Sequence, residues 1–138
     1  MIKGTYRYRV IYGDTDQAGM VYYGNYARFY EMGRTELIRE MGFPYKKLED
    51  MGIVMPVVSV NAKYIKPVLY DELITIETSV NKIPEARAVF HTNIFNEEGE
   101  LVNTAEVTLV FLDRKTKRLL RAPKELTELL ETNMKEIK

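Results

Sequence analysis

Two carboxylates, Asp14 and Asp16, lie two residues apart in the segment YGDTDQAGMVYYGNY, where a strand is expected to end and a long helix to begin. The first turn of a helix leaves backbone N–H groups without intrahelical acceptors, and it carries a partial positive charge. A carboxylate can act as a general base or as a nucleophile, and such donors stabilise an oxyanion that develops beside them. This junction is therefore the strongest candidate for a chemical site in the chain.

Other interpretations of the two aspartates stay open at this point. Asp16 in a turn also suits a purely structural Asx-turn, because aspartate favours such turns. A D-x-D pair after an apolar strand is also typical of haloacid-dehalogenase-like phosphatases, but that family needs a parallel sheet and a later lysine in a longer chain. A magnesium site at Asp14 and Asp16 lacks an evident third ligand, so no metal site is predicted. Asp14 is expected to orient the turn.

The composition limits the function classes. The 138 residues fit one domain, 1–138, and the 20 basic and 20 acidic residues balance, which gives no global attraction to nucleic acid. Cysteine is absent and His91 is the only histidine, so thiolate chemistry and mechanisms with two histidines are excluded. The N-terminal residues lack an apolar signal core, and no stretch approaches the ~20 apolar residues of a membrane span. We therefore expect a cytoplasmic protein.

Hydrophobic periodicity predicts the elements that position the aspartates. Alternating aromatic and β-branched residues over 5–12 indicate a first strand. Apolar residues at i, i+3, i+4 and i+7 over 24–41 indicate a long helix, and Gly33 on its apolar stripe would let the backbone lie close to a sheet. The other predicted elements are a short helix at 44–51, strands at 53–66, 72–81, 87–96 and 101–113, and a C-terminal helix from 123. Short connections make the later strands antiparallel, so the pattern predicts a two-layer α+β domain.

The motif and the element order together resemble a known family. Tyr12-x-Asp14-Thr-Asp16-x-x-Gly19-Met-Val-Tyr22-x-x-x-Tyr26, followed by Glu31-x-x-Arg34, is similar to the hotdog-fold acyl-CoA thioesterases. The similarity is closest to the branch of the 4-hydroxybenzoyl-CoA thioesterases and the Tol-Pal-associated short acyl-CoA thioesterases. The resemblance implies a hotdog fold, in which one long central helix packs on a five-stranded antiparallel sheet.

The resemblance also implies a function and site residues. It makes Asp16 the base or nucleophile, and the Tyr23 N–H the donor that polarises the thioester carbonyl. It implies acyl-CoA as the substrate, Tyr22, Val58 and Ser59 as substrate-binding residues, and no cofactor. It further implies a homo-oligomer, a dimer of joined sheets that can form a tetramer, in which residues 57–61 of one subunit line the pocket of the other.

One position departs from several bacterial relatives, which carry a histidine where this chain has Tyr23. Only the backbone role survives that change, and assignment of the substrate by analogy is weakened. Two alternatives remain beside acyl-CoA hydrolysis: an acyl-carrier-protein thioesterase and a non-catalytic acyl-CoA sensor. Glu31 is expected to form an ion pair with Arg28 or Arg34 on the helix surface, and His91 is expected to be solvent-exposed.

Overall fold

A computed structural model, which describes residues 1–136, shows two layers formed by a curved antiparallel sheet and a long helix. The elements in chain order are β1 (Ile2–Arg9), α1 (Tyr26–Glu40), α2 (Tyr45–Asp50), β2 (Ile53–Val54), β3 (Val57–Tyr64), β4 (Leu73–Val80), β5 (Arg87–Phe95), β6 (Leu101–Asp113), β7 (Leu119–Leu120) and α3 (Lys124–Glu136). Two 3₁₀ turns, Tyr12–Asp14 and Tyr23–Asn25, lie between β1 and α1. The predicted α+β hotdog class is confirmed.

The five long strands run in the order β1-β4-β5-β6-β3, and every pairing is antiparallel. The two-residue strands β2 and β7 pair with the end of β6 and bring the count to seven. The strands β1 and β3 therefore form the two edges of the sheet. None of the described helices is long and apolar enough to cross a bilayer.

The helix α1 crosses the inner face of the sheet and covers the core. Its buried side chains include Phe29, Tyr30 and Leu37, which pack over the alternating buried residues of β4 and β5. Gly33 is the point of closest approach. A Cβ atom there would lie 2.7 Å from Ile76 Cγ2 and would also collide with the Thr78 hydroxyl. The predicted close contact between the helix backbone and the sheet is confirmed.

Two predicted strand boundaries were wrong. The first strand covers Ile2–Arg9 and not 5–12. Val10 still bonds to Glu72 and Asp71, but Asp71 has a φ of 72° and turns the partner chain away, so residues 11–12 have no strand to pair with. The predicted strand over 53–66 is divided into β2 and β3 at Pro56. Proline lacks the N–H that a ladder needs, and a register shift follows between Val57 and Ser59.

Candidate active site

Asp14 is completely buried and holds the junction between β1 and α1 together. Its Oδ2 accepts hydrogen bonds from Tyr8 Oη at 2.8 Å and from the Ile11 N–H at 2.9 Å. Its Oδ1 is paired with the guanidinium of Arg28 on the first turn of α1. Burial raises the pKa of Tyr8, and the hydrogen bond to Asp14 raises it further. Both carboxylate oxygens are thus engaged and shielded from solvent, which fits a structural role for Asp14.

The backbone of Asp14 ties the same turn to the start of the helix. Its carbonyl oxygen accepts from the Tyr22 N–H at 2.9 Å and from Asn25 Nδ2 at 2.8 Å. Thr15 and Val21 form an antiparallel bridge, so residues 15–21 make a narrow loop whose two ends meet. Asp16 therefore follows directly after the bridged end of the loop, and Tyr22 and Tyr23 follow the other end.

Asp16 is exposed at the base of this loop, opposite Met20. Its Oδ1 accepts from the Ala18 N–H at 2.9 Å and more weakly from the Met20 N–H at 3.4 Å, while its own N–H donates to the Met20 carbonyl at 2.9 Å. Gly19 completes the turn with φ of +82°. The side chain is therefore oriented through Oδ1, and Oδ2 has no hydrogen-bond partner among residues 1–136.

Tyr23 opens the 3₁₀ turn that leads directly into α1. Because Tyr23 is the first residue of a helical turn, its N–H has no acceptor within that turn. Within the described residues this N–H donates no hydrogen bond, whereas the preceding Tyr22 N–H is taken by Asp14. The Tyr23 ring packs against Tyr22, and its carbonyl accepts from Tyr64 Oη at 3.3 Å. An oriented carboxylate and a free donor thus lie on either side of one short loop.

Two grooves lie beside the start of α1, and Asp16 is not among the described residues that line either of them. One, of about 380 Å³, passes between Tyr23 and the end of β3, where Tyr64 and Lys66 line it. The other, of about 320 Å³, follows α1 from Ala27 to Arg34, and its far wall is formed by three valines, Val57, Val60 and Val107. The second groove is largely apolar, whereas the first has a cation at its rim, Lys66, which is paired with Glu100. This combination suits a molecule with an apolar arm and a negatively charged arm.

Comparisons with known proteins identify the family of this chain. The family model of the thioesterase-like superfamily matches residues 10–130. The chain belongs to the thioesterase-like superfamily. The acyl-CoA thioester hydrolase YbgC of Escherichia coli O6:H1 is 35% identical over 105 residues, which cover 76% of this chain and 78% of that protein.

Solved structures give the same result. A DHNA-CoA thioesterase from Staphylococcus aureus has a TM-score of 0.90 and 32% identity, and the match covers 100% of this chain and 97% of that one. A mutant 4-hydroxybenzoyl-CoA thioesterase in complex with 4-hydroxybenzoyl-CoA has a TM-score of 0.83 and 28% identity, over 94% of this chain and 99% of that one. The resemblance to hotdog-fold thioesterases is confirmed.

In this thioesterase-like chain the predicted site residues fall into two groups. Asp16 and Tyr23 lie on the same loop–helix junction, and Tyr22 lies between them, with its ring over Gly24. Val58 and Ser59 lie on β3 at the register shift, and among the described residues neither lines the groove along α1. Their predicted contact with substrate therefore requires a second subunit.

The predicted ion pairs of Glu31 were wrong. Arg28 turns towards Asp14, and none of the ion pairs found within residues 1–136 includes Glu31 or Arg34. Buried Asp14 attracts Arg28 more strongly than an exposed carboxylate can, because solvent weakens surface pairs. His91 is partly exposed, at 37% of its side chain, and faces Glu106.

Sequence reasoning missed the residues that hold the turn. Tyr8, Asn25 and Arg28 each bond to Asp14. The sequence patterns predict no role for Tyr8 or Asn25, and they predict that Arg28 pairs with Glu31. A signal for Asn25 existed, since asparagine is common at helix starts. Within residues 1–136 there is no group of three or more His, Asp or Glu side chains with a metal-binding arrangement.

Proposed function

We propose that this chain hydrolyses acyl-CoA thioesters to a free acid and coenzyme A, with Asp16 as the base or nucleophile and the Tyr23 N–H as the carbonyl-polarising donor. Membership of the thioesterase-like superfamily and the similarity to proteins named acyl-CoA thioester hydrolases support the reaction class. One observation carries the residue assignment. The Asp16 carboxylate keeps one oxygen free of hydrogen bonds, and the Tyr23 N–H, which follows the same short loop, has no acceptor within the described residues.

Two routes use these groups. As a base, Asp16 takes a proton from water while the water oxygen bonds to the carbonyl carbon, and collapse of the tetrahedral intermediate breaks the C–S bond and releases the thiolate of coenzyme A, which then takes up a proton. As a nucleophile, Asp16 forms a mixed anhydride as the C–S bond breaks, and water then hydrolyses that anhydride. In both routes the Tyr23 N–H stabilises the oxygen that becomes negative.

The two grooves suggest how the substrate lies. The acyl group follows α1 against the apolar wall of Val57, Val60 and Val107, because burying apolar surface there is favourable. The coenzyme A moiety of the substrate extends along the other groove, past Tyr64 and Lys66. Neither route needs a metal or a redox cofactor, so hydrolysis is expected to continue in EDTA. A coenzyme A substrate and the absence of cysteine fit a cytoplasmic enzyme.

The free edge of β3 supports a dimer. Within residues 1–136 this eight-residue strand pairs only with β6. It exposes three valines and a tyrosine by 44–54% of their surfaces: Val57, Val58, Val60 and Tyr64. A long apolar edge strand invites pairing with another strand. We propose that two copies join their β3 edges into one continuous sheet, which would bring Val58 and Ser59 of each copy towards the partner's pocket. Two such dimers can form a tetramer.

Replacing Tyr23 by proline tests the role of its N–H. Tyr22 has φ −64° and ψ 133°, a conformation that favours a following proline, and proline is well accepted at the first position of a helical turn. Tyr23→Pro should lower kcat by roughly 10²–10³, as expected for loss of one oxyanion donor. Tyr23→Ala is the control, since it removes the ring and keeps the N–H. Equal kcat values in the two variants would contradict the proposal.

A further inference from the structure

Arg34 is a buried cation at the far end of the groove along α1. Only 6% of its surface is exposed, and its Nε is fully buried without a hydrogen-bond partner among the described residues. The hydroxyl of Tyr45 on α2 is likewise buried; it lies beside Arg34 and Thr35 but makes no hydrogen bond of good geometry with either. Burial raises the pKa of Tyr45, while the nearby guanidinium of Arg34 acts in the opposite direction, so the two groups are close neighbours.

Both groups line one small cavity. It has a volume of about 180 Å³ between α1, α2 and β2, and Arg34 and Tyr45 share its wall with Leu48, Ile53 and Leu109. Arg34 also lines the larger apolar groove, so this residue lies between the two spaces. The groove is long, because Ala27 and Arg34, which both line it, are about 10 Å apart along the helix axis.

Unpaired buried donors are costly, because each loses its hydrogen bonds to water and gains none in return. A guanidinium that opens into a cavity is therefore a binding group for an oxygen acceptor. The cavity wall also carries the carboxylates of Glu31 and Glu49, which would repel an anionic ligand. A hydroxyl avoids that repulsion, since it accepts from Arg34 and can donate to Glu31.

We infer that Arg34, assisted by Tyr45, is a specificity-determining residue that binds a hydroxyl group at the distal end of the acyl chain or ring. The inference rests on the proposed function, because it assumes that the acyl group occupies the groove along α1. It assigns these residues no part in bond breaking. It predicts that hydroxylated acyl groups are better substrates than unsubstituted ones of the same length.

Matched substrate pairs test this inference. We would measure kcat/KM for ω-hydroxyacyl-CoAs and unsubstituted acyl-CoAs from butanoyl to dodecanoyl, and for 4-hydroxybenzoyl-CoA and benzoyl-CoA. The ω-carboxyacyl-CoAs of the same lengths would serve as anionic substrates for comparison. At the best-fitting length the hydroxylated substrate should be preferred by roughly 10- to 100-fold, the effect expected for a hydrogen bond to a charged group. The carboxylated substrate should show no such preference.

Variants then assign the preference to its residues. Arg34→Gln should remove most of the preference, Tyr45→Phe should weaken it, and Arg39→Gln on the exposed side of α1 should leave it intact. The ratio of two kcat/KM values from one preparation does not depend on how much of the variant is folded. A merely structural role for Arg34 would change both substrates equally.

The possible outcomes separate the two levels of the proposal. If the wild type hydrolyses none of these thioesters, the proposed function fails. If it hydrolyses both members of every pair equally, or if Arg34→Gln keeps the preference, the inference about Arg34 is overturned while the proposed function stands. A preference for the ω-carboxyacyl-CoAs would overturn the inference that Arg34 binds a hydroxyl group. A preference that is mostly lost in Arg34→Gln, weakened in Tyr45→Phe and kept in Arg39→Gln supports the inference.

Discussion

Asp14 and Asp16 lie two positions apart, and the same substitution is expected to destabilise the protein at Asp14 and to leave its stability almost unchanged at Asp16. Asp14→Asn changes a buried carboxylate that accepts from Tyr8, from the Ile11 N–H and from Arg28. An asparagine has one acceptor oxygen in place of two. If that oxygen keeps Tyr8 and Ile11, its NH₂ group must face the Arg28 guanidinium, donor against donor.

The size of the effect follows from these contacts. Leaving one member of a buried ion pair uncompensated costs about 3–5 kcal/mol. The Arg28 side chain is 46% exposed and can turn towards water, which reduces that figure. We expect a loss of about 2 kcal/mol in the free energy of unfolding, which corresponds to a fall of about 8 °C in Tm for a chain of this length. In Asp16→Asn, Oδ1 can still accept from Ala18 and Met20, and the change in stability should stay within about 0.5 kcal/mol.

Urea denaturation and thermal melting of both variants and the wild type, at one fixed protein concentration, would measure these differences. The concentration must be constant because assembly contributes to apparent stability. An Asp14→Asn protein as stable as the wild type would refute the structural role of Asp14. An Asp16→Asn protein that lost 2 kcal/mol would show that Asp16 is itself a structural residue.

Three further predictions concern the helix, a buried phenol and the sheet edge. Gly33→Ala should lower stability by roughly 1–2 kcal/mol in urea titrations, because the collision with Thr78 outweighs the gain in helix propensity; a stabilised variant would contradict it. Burial raises the pKa of Tyr26 to about 12, so the unfolded chain ionises first and stability should fall between about pH 10 and about pH 12. Tyr26→Phe should flatten that fall, and an unchanged profile would argue against it. Val60→Lys on β3 should shift sedimentation from dimer towards monomer, whereas Thr5→Lys on the opposite edge should not; two dimeric variants would disprove the β3 interface.

The long elements could be predicted because each carries its own periodic signal. The spacing of apolar residues located α1, and the glycine on its stripe predicted the contact that Gly33 makes with β4. The run from Leu101 to Asp113 matched β6 at both ends. The end of β1 could not be predicted, because Tyr12 alternates correctly but has no partner strand. Pairing partners are set by tertiary structure and not by local pattern.

The candidate site likewise has a part that the sequence could predict and a part that it could not. The motif around Asp16 and Tyr23 is contiguous in the chain, so its local geometry could be anticipated. The network around Asp14 joins Tyr8 on β1 to Arg28 on α1, and the position of Arg34 next to Tyr45 depends on how α2 folds back. The choice of Arg28 between Glu31 and Asp14 is decided by burial, which sequence spacing does not reveal.

The central claim is that Asp16 carries the chemistry, and one variant tests it most directly. We would assay Asp16→Asn for hydrolysis of a panel of short, long and aromatic acyl-CoAs, and measure its affinity for the best substrate by calorimetry. The proposal predicts that kcat falls by at least roughly 100-fold on every substrate, as expected for loss of a general base, while binding remains close to that of the wild type. An Asp16→Asn protein with full turnover would contradict it.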